Sequence, residues 1–243
     1  MDKDIILLTG GAGNIATAIT KKYLENDCIV IALDIVEENP NEEFYDNVNY
    51  DYYQVDVTDI EALKDVCKKI ESKYGRVTHV ISSAGNPARS EFNGIENVTD
   101  EDINKSVALN LTSHIYLTKV FVPLIKKDMN KNKTITFVSS INAIKNFDIP
   151  VYSAAKAGLY GFVKGIGKEL GNARIRVNAI SPGTVPTPID IKENDGILEY
   201  KKNMTALGEF ASTSDIADTI FSVTHCMKTV VGQNIVVDAG QTL

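Results

Sequence analysis

The chain has 243 residues, with 25 lysines and arginines against 32 aspartates and glutamates and a formal net charge of -7. At 44% hydrophobic and 23% charged it has the make-up of a globular protein, which excludes a disordered or fibrous chain. The acidic balance argues against non-specific binding to nucleic acid or to an anionic membrane. No run of 18 apolar residues occurs, and the start lacks the basic region and cleavage site of a signal peptide, so a cytoplasmic location is expected.

Short apolar, β-branched runs at 4–9, 28–34, 52–57, 77–82, 134–140, 175–181 and 234–238 alternate with helical patterns near 15–25, 59–73, 101–127, 152–170 and 214–227. Several runs are apolar on nearly every residue, as strands buried on both faces of a parallel sheet are. The alternation predicts βαβ units and an α/β fold, a doubly wound parallel sheet. No repeat or linker divides the chain, so 1–243 reads as a single domain. Two segments interrupt the pattern. Residues 36–49, acidic and Asn-rich with Pro40, read as a surface loop; 183–213, with Pro186, Pro188 and Gly196, is long for a connection and is expected to hold the substrate loop. Cys28, Cys67 and Cys226 read as packing thiols of a reducing compartment. His79, His114 and His225 are scattered, so no metal site is expected.

After the first run comes Thr9-Gly10-Gly11-Ala12-Gly13-Asn14-Ile15-Ala16, then a helix. Glycines there let backbone N–H groups approach a pyrophosphate, whose charge a helix N-terminus favours. Gly11 and Gly13 fit the first two positions of G-x-G-x-x-G, and Ala16 is small enough for the third. Asp34 closes the second run, where an acidic residue accepts from the ribose hydroxyls of NAD; a 2′-phosphate would meet a carboxylate, with no arginine at Ile35. NAD is the expected cofactor.

Tyr152 and Lys156 stand four apart, on one face of a predicted helix. A phenol needs a neighbouring ammonium before it can act as a base near neutrality. Ser139-Ser140 closes a buried strand just upstream, at the sheet edge where ligands bind. Tyrosine, lysine and serine beside a dinucleotide site form a proton-relay and carbonyl-polarising set for hydride transfer.

Taken in order, TGGAGNIA, Asp34, Asp56-Val57, Ser82-Ser83-Ala84-Gly85, Asn110, Ser139-Ser140, Tyr-Ser-Ala-Ala-Lys (152–156), Pro182-Gly183 with Thr187, and Val237-Asp238-Ala239-Gly240 resemble the short-chain dehydrogenase/reductase family over essentially the whole chain. The resemblance implies a Rossmann fold and a Ser–Tyr–Lys active site completed by Asn110, which supports Lys156 through water. It further implies NAD contacts at Gly10, Gly13, Asn14, Ile15, Asp34, Asp56, Val57, Ser83, Ala84, Gly85, Tyr152, Lys156, Pro182, Gly183, Val185 and Thr187. The chain departs from the family at Asn14 and Ala16, where glycines are usual, and at Ser82-Ser83, where asparagines are usual. Strand alignment selects Ser140 as the catalytic serine, whereas the family's distance to the tyrosine selects Ser139. Side chains alternate along a strand, so only one can face the site; Ser140 is favoured.

The expected activity is hydride transfer between NAD and a secondary alcohol or ketone. The alternatives are a 3-oxoacyl-carrier-protein reductase, suggested by a basic patch at Lys126, Lys127, Lys131 and Lys133, and a non-catalytic NAD-binding regulatory protein. Retention of all four catalytic residue types favours the enzyme. Small residues at Ala154, Ala155, Ala157, Gly158, Gly161 and Gly165 imply, through the resemblance, a homodimer or homotetramer. Substrate and direction are not encoded in any motif. His114, one helical turn past Asn110, reads as a packing histidine.

Overall fold

Every residue of β1 (Ile5–Thr9) is buried, and its side chains divide strictly by alternation between two cores. Ile5 and Leu7 join the core under one helix layer; Ile6 and Leu8 join the core under the other. That is how a central strand of a two-sided sheet must behave. The computed structural model describes residues 3–38, 40–129, 132–145, 149–186 and 195–243.

Seven parallel strands run in the order β3-β2-β1-β4-β5-β6-β7: β2 is Ile29–Asp34, β3 Tyr50–Gln54, β4 His79–Ser82, β5 Lys133–Val138, β6 Ile175–Pro182 and β7 Asn234–Val237. Helices α2 (Ile60–Tyr74), α4 (Ser113–Lys127) and α5 (Pro150–Leu170) cover one face, placing Val66, Phe121 and Val163 on it. On the other face α1 (Asn14–Glu25) and α7 (Thr213–His225) bury Ile19, Tyr23, Ile216 and Ile220. The strand order reverses between β1 and β4, and that switch point opens a crevice at the C-terminal edge of the sheet. Among the described residues no helix is long and apolar enough to cross a membrane.

Three elements differ from the sequence reading. The third strand lies at 50–54, not 52–57, because it is the sheet edge: half-buried tyrosines form it, while Val55 and Val57 bury themselves beyond its end. The long fourth helix is broken into α3 (Asp100–Val107), a π turn (Ala108–Thr112) and α4. Within 183–213, residues Asp195–Asn203 form a helix, α6. The described part of the 36–49 segment is largely exposed, yet a 3-10 turn there, Glu42–Phe44, buries Phe44 against Tyr50.

Candidate active site

The crevice is built first by close backbone approach. Gly10 takes φ +70, and a Cβ there would lie 3.0 Å from the Ala84 backbone; one on Gly11 would lie 2.7 Å from the Ala32 Cβ. Thr9 ties the strand exits together, its hydroxyl accepting the N–H groups of Ser83 at 3.0 Å and Ala84 at 3.2 Å. Helix α1 starts behind Gly13 with no side-chain cap and no acidic residue in its first turn. Its orphan N–H groups and positive dipole end stand ready for an anion.

The expected Gly10, Gly13, Asn14, Ile15, Asp34, Asp56, Val57, Ser83, Ala84, Gly85 and Val185 line a cleft of about 720 Å³, with Ala16 beside them, whereas the expected Tyr152 and Lys156 do not line it. Asp34 does two things there: Oδ2 accepts the Ala12 N–H at 3.0 Å and Oδ1 the Val36 N–H at 3.1 Å. The cleft also has a cationic wall residue that the sequence reading missed, Lys105, paired with Glu101 at 2.5 Å. Pro182 and Gly183 do not line the cleft. Gly183 instead donates to the Val237 carbonyl at 2.9 Å, and a Cβ on it would lie 2.8 Å from Asp238, so the pair carries the chain past the β7 exit. Thr187 lies outside the described residues.

Tyr152, Lys156 and Asn110 meet behind Gly85. A Cβ on Gly85 would come within 2.7 Å of Asn110 Oδ1 and 2.9 Å of Lys156 Nζ. The π turn turns Asn110 inward, where Nδ2 donates to the carbonyls of Ser106 and Asn86, both at 2.9 Å. Such turns recur where a helix must present a side chain to a site. Asn110 Oδ1 is buried with no hydrogen-bond partner among the described residues. Lys156 Nζ donates to the Val138 carbonyl at 2.9 Å and lies 5.7 Å from the Tyr152 ring centre. The two serines separate as alternation demands. Ser139 is buried, its hydroxyl 3.4 Å from the Lys156 carbonyl, whereas the Ser140 hydroxyl accepts the Asn142 N–H at 3.1 Å and stands near enough to the Tyr152 phenol to favour its phenolate.

Electrostatically the site differs from the expectation of a phenol lowered by its lysine. Burial raises the Tyr152 pKa, and the Ser140 hydrogen bond only partly opposes it. Burial drives Lys156 down to about 7, since a fully enclosed ammonium loses its water. The pair's easy proton therefore sits on the lysine.

Glu91 is a site residue the sequence reading missed. It is 1% exposed; Oε2 accepts the Tyr152 N–H at 2.9 Å, and Oε1 accepts from Ser106 Oγ at 3.2 Å and Ala88 N at 3.3 Å. One carboxylate thus clamps the start of α5 to the helix that leads to Asn110. A lone acidic residue in a short 3-10 turn gives no signal of this, because Tyr152 and Ser106 are distant in sequence.

Outside the cleft, His114 is fully buried and bonds Ser82 Oγ at 2.6 Å, with a pKa held well below its usual value by burial. Cys28 is buried, Cys67 half-buried and Cys226 exposed, so the last is not a packing thiol. The lysine patch is reduced: Lys126 is exposed, Lys127 is exposed but pairs with Glu71, Lys133 is buried on the Asp128 carbonyl at 3.0 Å, and Lys131 lies outside the described residues. The histidines are not all scattered either. His79 and His225 converge with Asp4 at the opposite edge of the sheet.

A family model described as enoyl-(acyl carrier protein) reductase matches residues 10–242. The 3-oxoacyl-acyl-carrier-protein reductase FabG of Thermotoga maritima is 31% identical over 99% of this chain and 98% of its own. The 7alpha-hydroxysteroid dehydrogenase of Bacteroides fragilis is 26% identical over 100% and 95%. Among solved structures, a short chain dehydrogenase from Leptospira borgpetersenii with bound NAD+ superimposes with a TM-score of 0.89 at 27% identity, covering 100% of this chain and 94% of that one.

Proposed function

The chain belongs to the short-chain dehydrogenase/reductase family, and from that premise we propose that it is an NAD-dependent oxidoreductase interconverting a secondary alcohol and a ketone. The observation that carries this reading is the grouping of Tyr152 with Ser140 and Lys156, and of Lys156 and Asn110 directly behind Gly85, a lining residue of the cleft. The cleft suits a dinucleotide: an uncapped helix start for the pyrophosphate, Asp34 for the adenosine ribose, and Asp56 and Val57 for the adenine. Bound there, NAD supplies the hydride acceptor or donor.

The protein's own part is proton transfer and orientation. Tyr152 Oη exchanges the proton with the substrate oxygen, and Ser140 Oγ donates to that same oxygen, polarising it. Lys156 stabilises the phenolate and takes the proton onward, and Asn110 Oδ1, which lacks a partner among the described residues, accepts from a water that leads the relay to solvent. In this reading the exposed small residues Ala154, Ala157, Gly158 and Gly161 on α5 seat a second copy of the chain, in the cytoplasm.

A screen of secondary alcohols and ketones with NAD(H) and NADP(H) in parallel tests the proposal, with 3-oxoacyl and 3-hydroxyacyl thioesters and hydroxysteroids included. Tyr152→Phe should lower turnover by about 10²–10⁴ while cofactor binding persists. Near-full turnover in that variant would refute the mechanism. A second reading, reduction of 3-oxoacyl thioesters, is favoured by the Thermotoga maritima relative. The lysines that first suggested it lend it no support.

A further inference from the structure

At the edge of the sheet opposite the cleft, Asp4 precedes β1, His79 opens β4, and His225 ends α7. Their ligand atoms all lie within 4.8 Å of one another. Asp4 Oδ2 stands 3.3 Å from His225 Nε2 and 3.5 Å from His79 Nε2. A tetrahedral zinc with bonds of about 2.0–2.2 Å spaces its ligand atoms about 3.3–3.6 Å apart. Both measured separations fall in that interval.

The outer contacts of the rings point the same way. His225 Nδ1 lies 3.3 Å from the Phe221 carbonyl and 2.8 Å from Thr224 Oγ1. Nε2 is therefore the ring nitrogen that faces the Asp4 carboxylate. His79 Nδ1 is engaged by Thr134 Oγ1 at 2.8 Å, while its Nε2, on a fully buried ring, has no hydrogen-bond partner among the described residues. Each imidazole is thus oriented through its far nitrogen by a threonine, as metal-bound histidines are held by an outer partner. The side chains of Asp4 and His225 are each 21% exposed, which leaves an entry path and room for a water as fourth ligand.

We propose that Asp4, His79 and His225 form a divalent metal site of zinc type, which staples the starts of β1 and β4 to the end of α7. Two imidazoles and one carboxylate suit zinc or another late first-row ion and not magnesium. Arg176, near His79, is a like charge that limits affinity; its guanidinium is held by the carbonyls of Val223, Thr224 and Met227 and by Asn132. Cys28 is not part of the cluster; its thiol is directed to the Asn26 carbonyl at 3.6 Å. None of the three residues lines the 720 Å³ cleft, which lies at the other edge of the sheet, so the ion's role is structural.

The test uses tag-free, chelator-stripped protein titrated with Zn²⁺, Co²⁺ and Mg²⁺. One Zn²⁺ should bind per chain, Co²⁺ should give the visible bands of a tetrahedral site, and Mg²⁺ should not bind. Free Zn²⁺ at 100 times its dissociation constant should raise the melting temperature by about 5–10 °C. His225→Gln and Asp4→Asn, both at partly exposed positions, should each weaken Zn²⁺ binding at least ten-fold. Absence of stoichiometric Zn²⁺ binding at 100 µM metal would overturn the proposal. So would unchanged affinity in both variants, which would place the metal elsewhere.

Discussion

Lys156→Met gives the sharpest test of the proposed proton relay. The ammonium is fully enclosed, makes a hydrogen bond to the Val138 carbonyl, and is held by burial near a pKa of about 7, while the Tyr152 phenol is pushed above its usual value of 10.0. Interacting groups titrate as a pair, so the first proton leaves the Tyr–Lys pair near the lysine's value. Whichever atom holds the remaining proton, the singly deprotonated pair contains a base. For alcohol oxidation, kcat/KM should therefore rise about ten-fold per pH unit below 7 and level off above it. Methionine fills the space without a titratable group. Only the raised phenol can then lose a proton, so the apparent pKa should move above 10 and activity at pH 7 should fall roughly 10³-fold. The gap should narrow steadily as pH rises. Initial rates between pH 5.5 and 10.5, with saturating NAD and limiting alcohol, measure both effects. A Lys156→Met profile that keeps the wild-type apparent pKa would show that the lysine does not carry that proton.

Stability should respond to the same group. The folded pKa of Lys156 lies below the unfolded value, so the unfolded chain holds an extra proton between about pH 7 and 10.5, and the wild type's melting temperature should climb with pH there relative to Lys156→Met; parallel curves would contradict this. Ser140→Ala should cost turnover about 10²-fold or more, as for loss of one oxyanion donor. Ser139→Ala should cost far less, and the reverse ranking would reassign the serine. NADH should bind at least ten-fold more tightly than NADPH, with Asp34→Ala eroding that preference; fluorescence titrations showing tighter NADPH binding to the unmodified protein would end the NAD assignment. Glu91→Gln removes part of a buried three-donor acceptor, a loss of about 1–3 kcal/mol, so melting should fall by roughly 3–10 °C. Turnover should fall with it while NADH affinity holds; unchanged turnover would reduce Glu91 to a purely structural role.

The parts of the site that were legible in the sequence are those whose signal is local. The Gly10–Ala16 turn, the Tyr152–Lys156 spacing and the buried strands each occupy a few consecutive residues, and the sheet topology does the rest by bringing strand ends to one edge. What stayed hidden depends on contacts between distant segments. Glu91 reaches Tyr152 across the fold, and the Asp4–His79–His225 cluster exists only because β1 and β4 are neighbours and α7 ends beside them. The break at Ala108–Thr112 was hidden for a related reason. Its apolar periodicity reads as continuous helix, and only the inward bonds of Asn110 to Asn86 and Ser106 reveal the turn. The lysine patch failed in the opposite sense. Adjacent charges in sequence implied a shared surface, but Lys127 belongs to Glu71 and Lys133 is inside.

Asp34 joins cofactor choice to the shape of the phosphate turn. A carboxylate offers about four lone pairs, and here two are spent on the N–H groups of Ala12 and Val36, leaving capacity for ribose hydroxyls. A 2′-phosphate in the same place brings a charge of about -2 against a carboxylate that cannot swing away without releasing the Ala12 N–H and loosening the turn. Lys105, the cation on the cleft wall, is occupied by Glu101 and would have to break that pair to compensate. Exposed pairs of this kind are worth only about 0–1 kcal/mol, so that exchange is cheap, whereas the cost at Asp34 is not. The proposed preference for NAD thus rests on the carboxylate's anchorage to the turn and not on its charge alone.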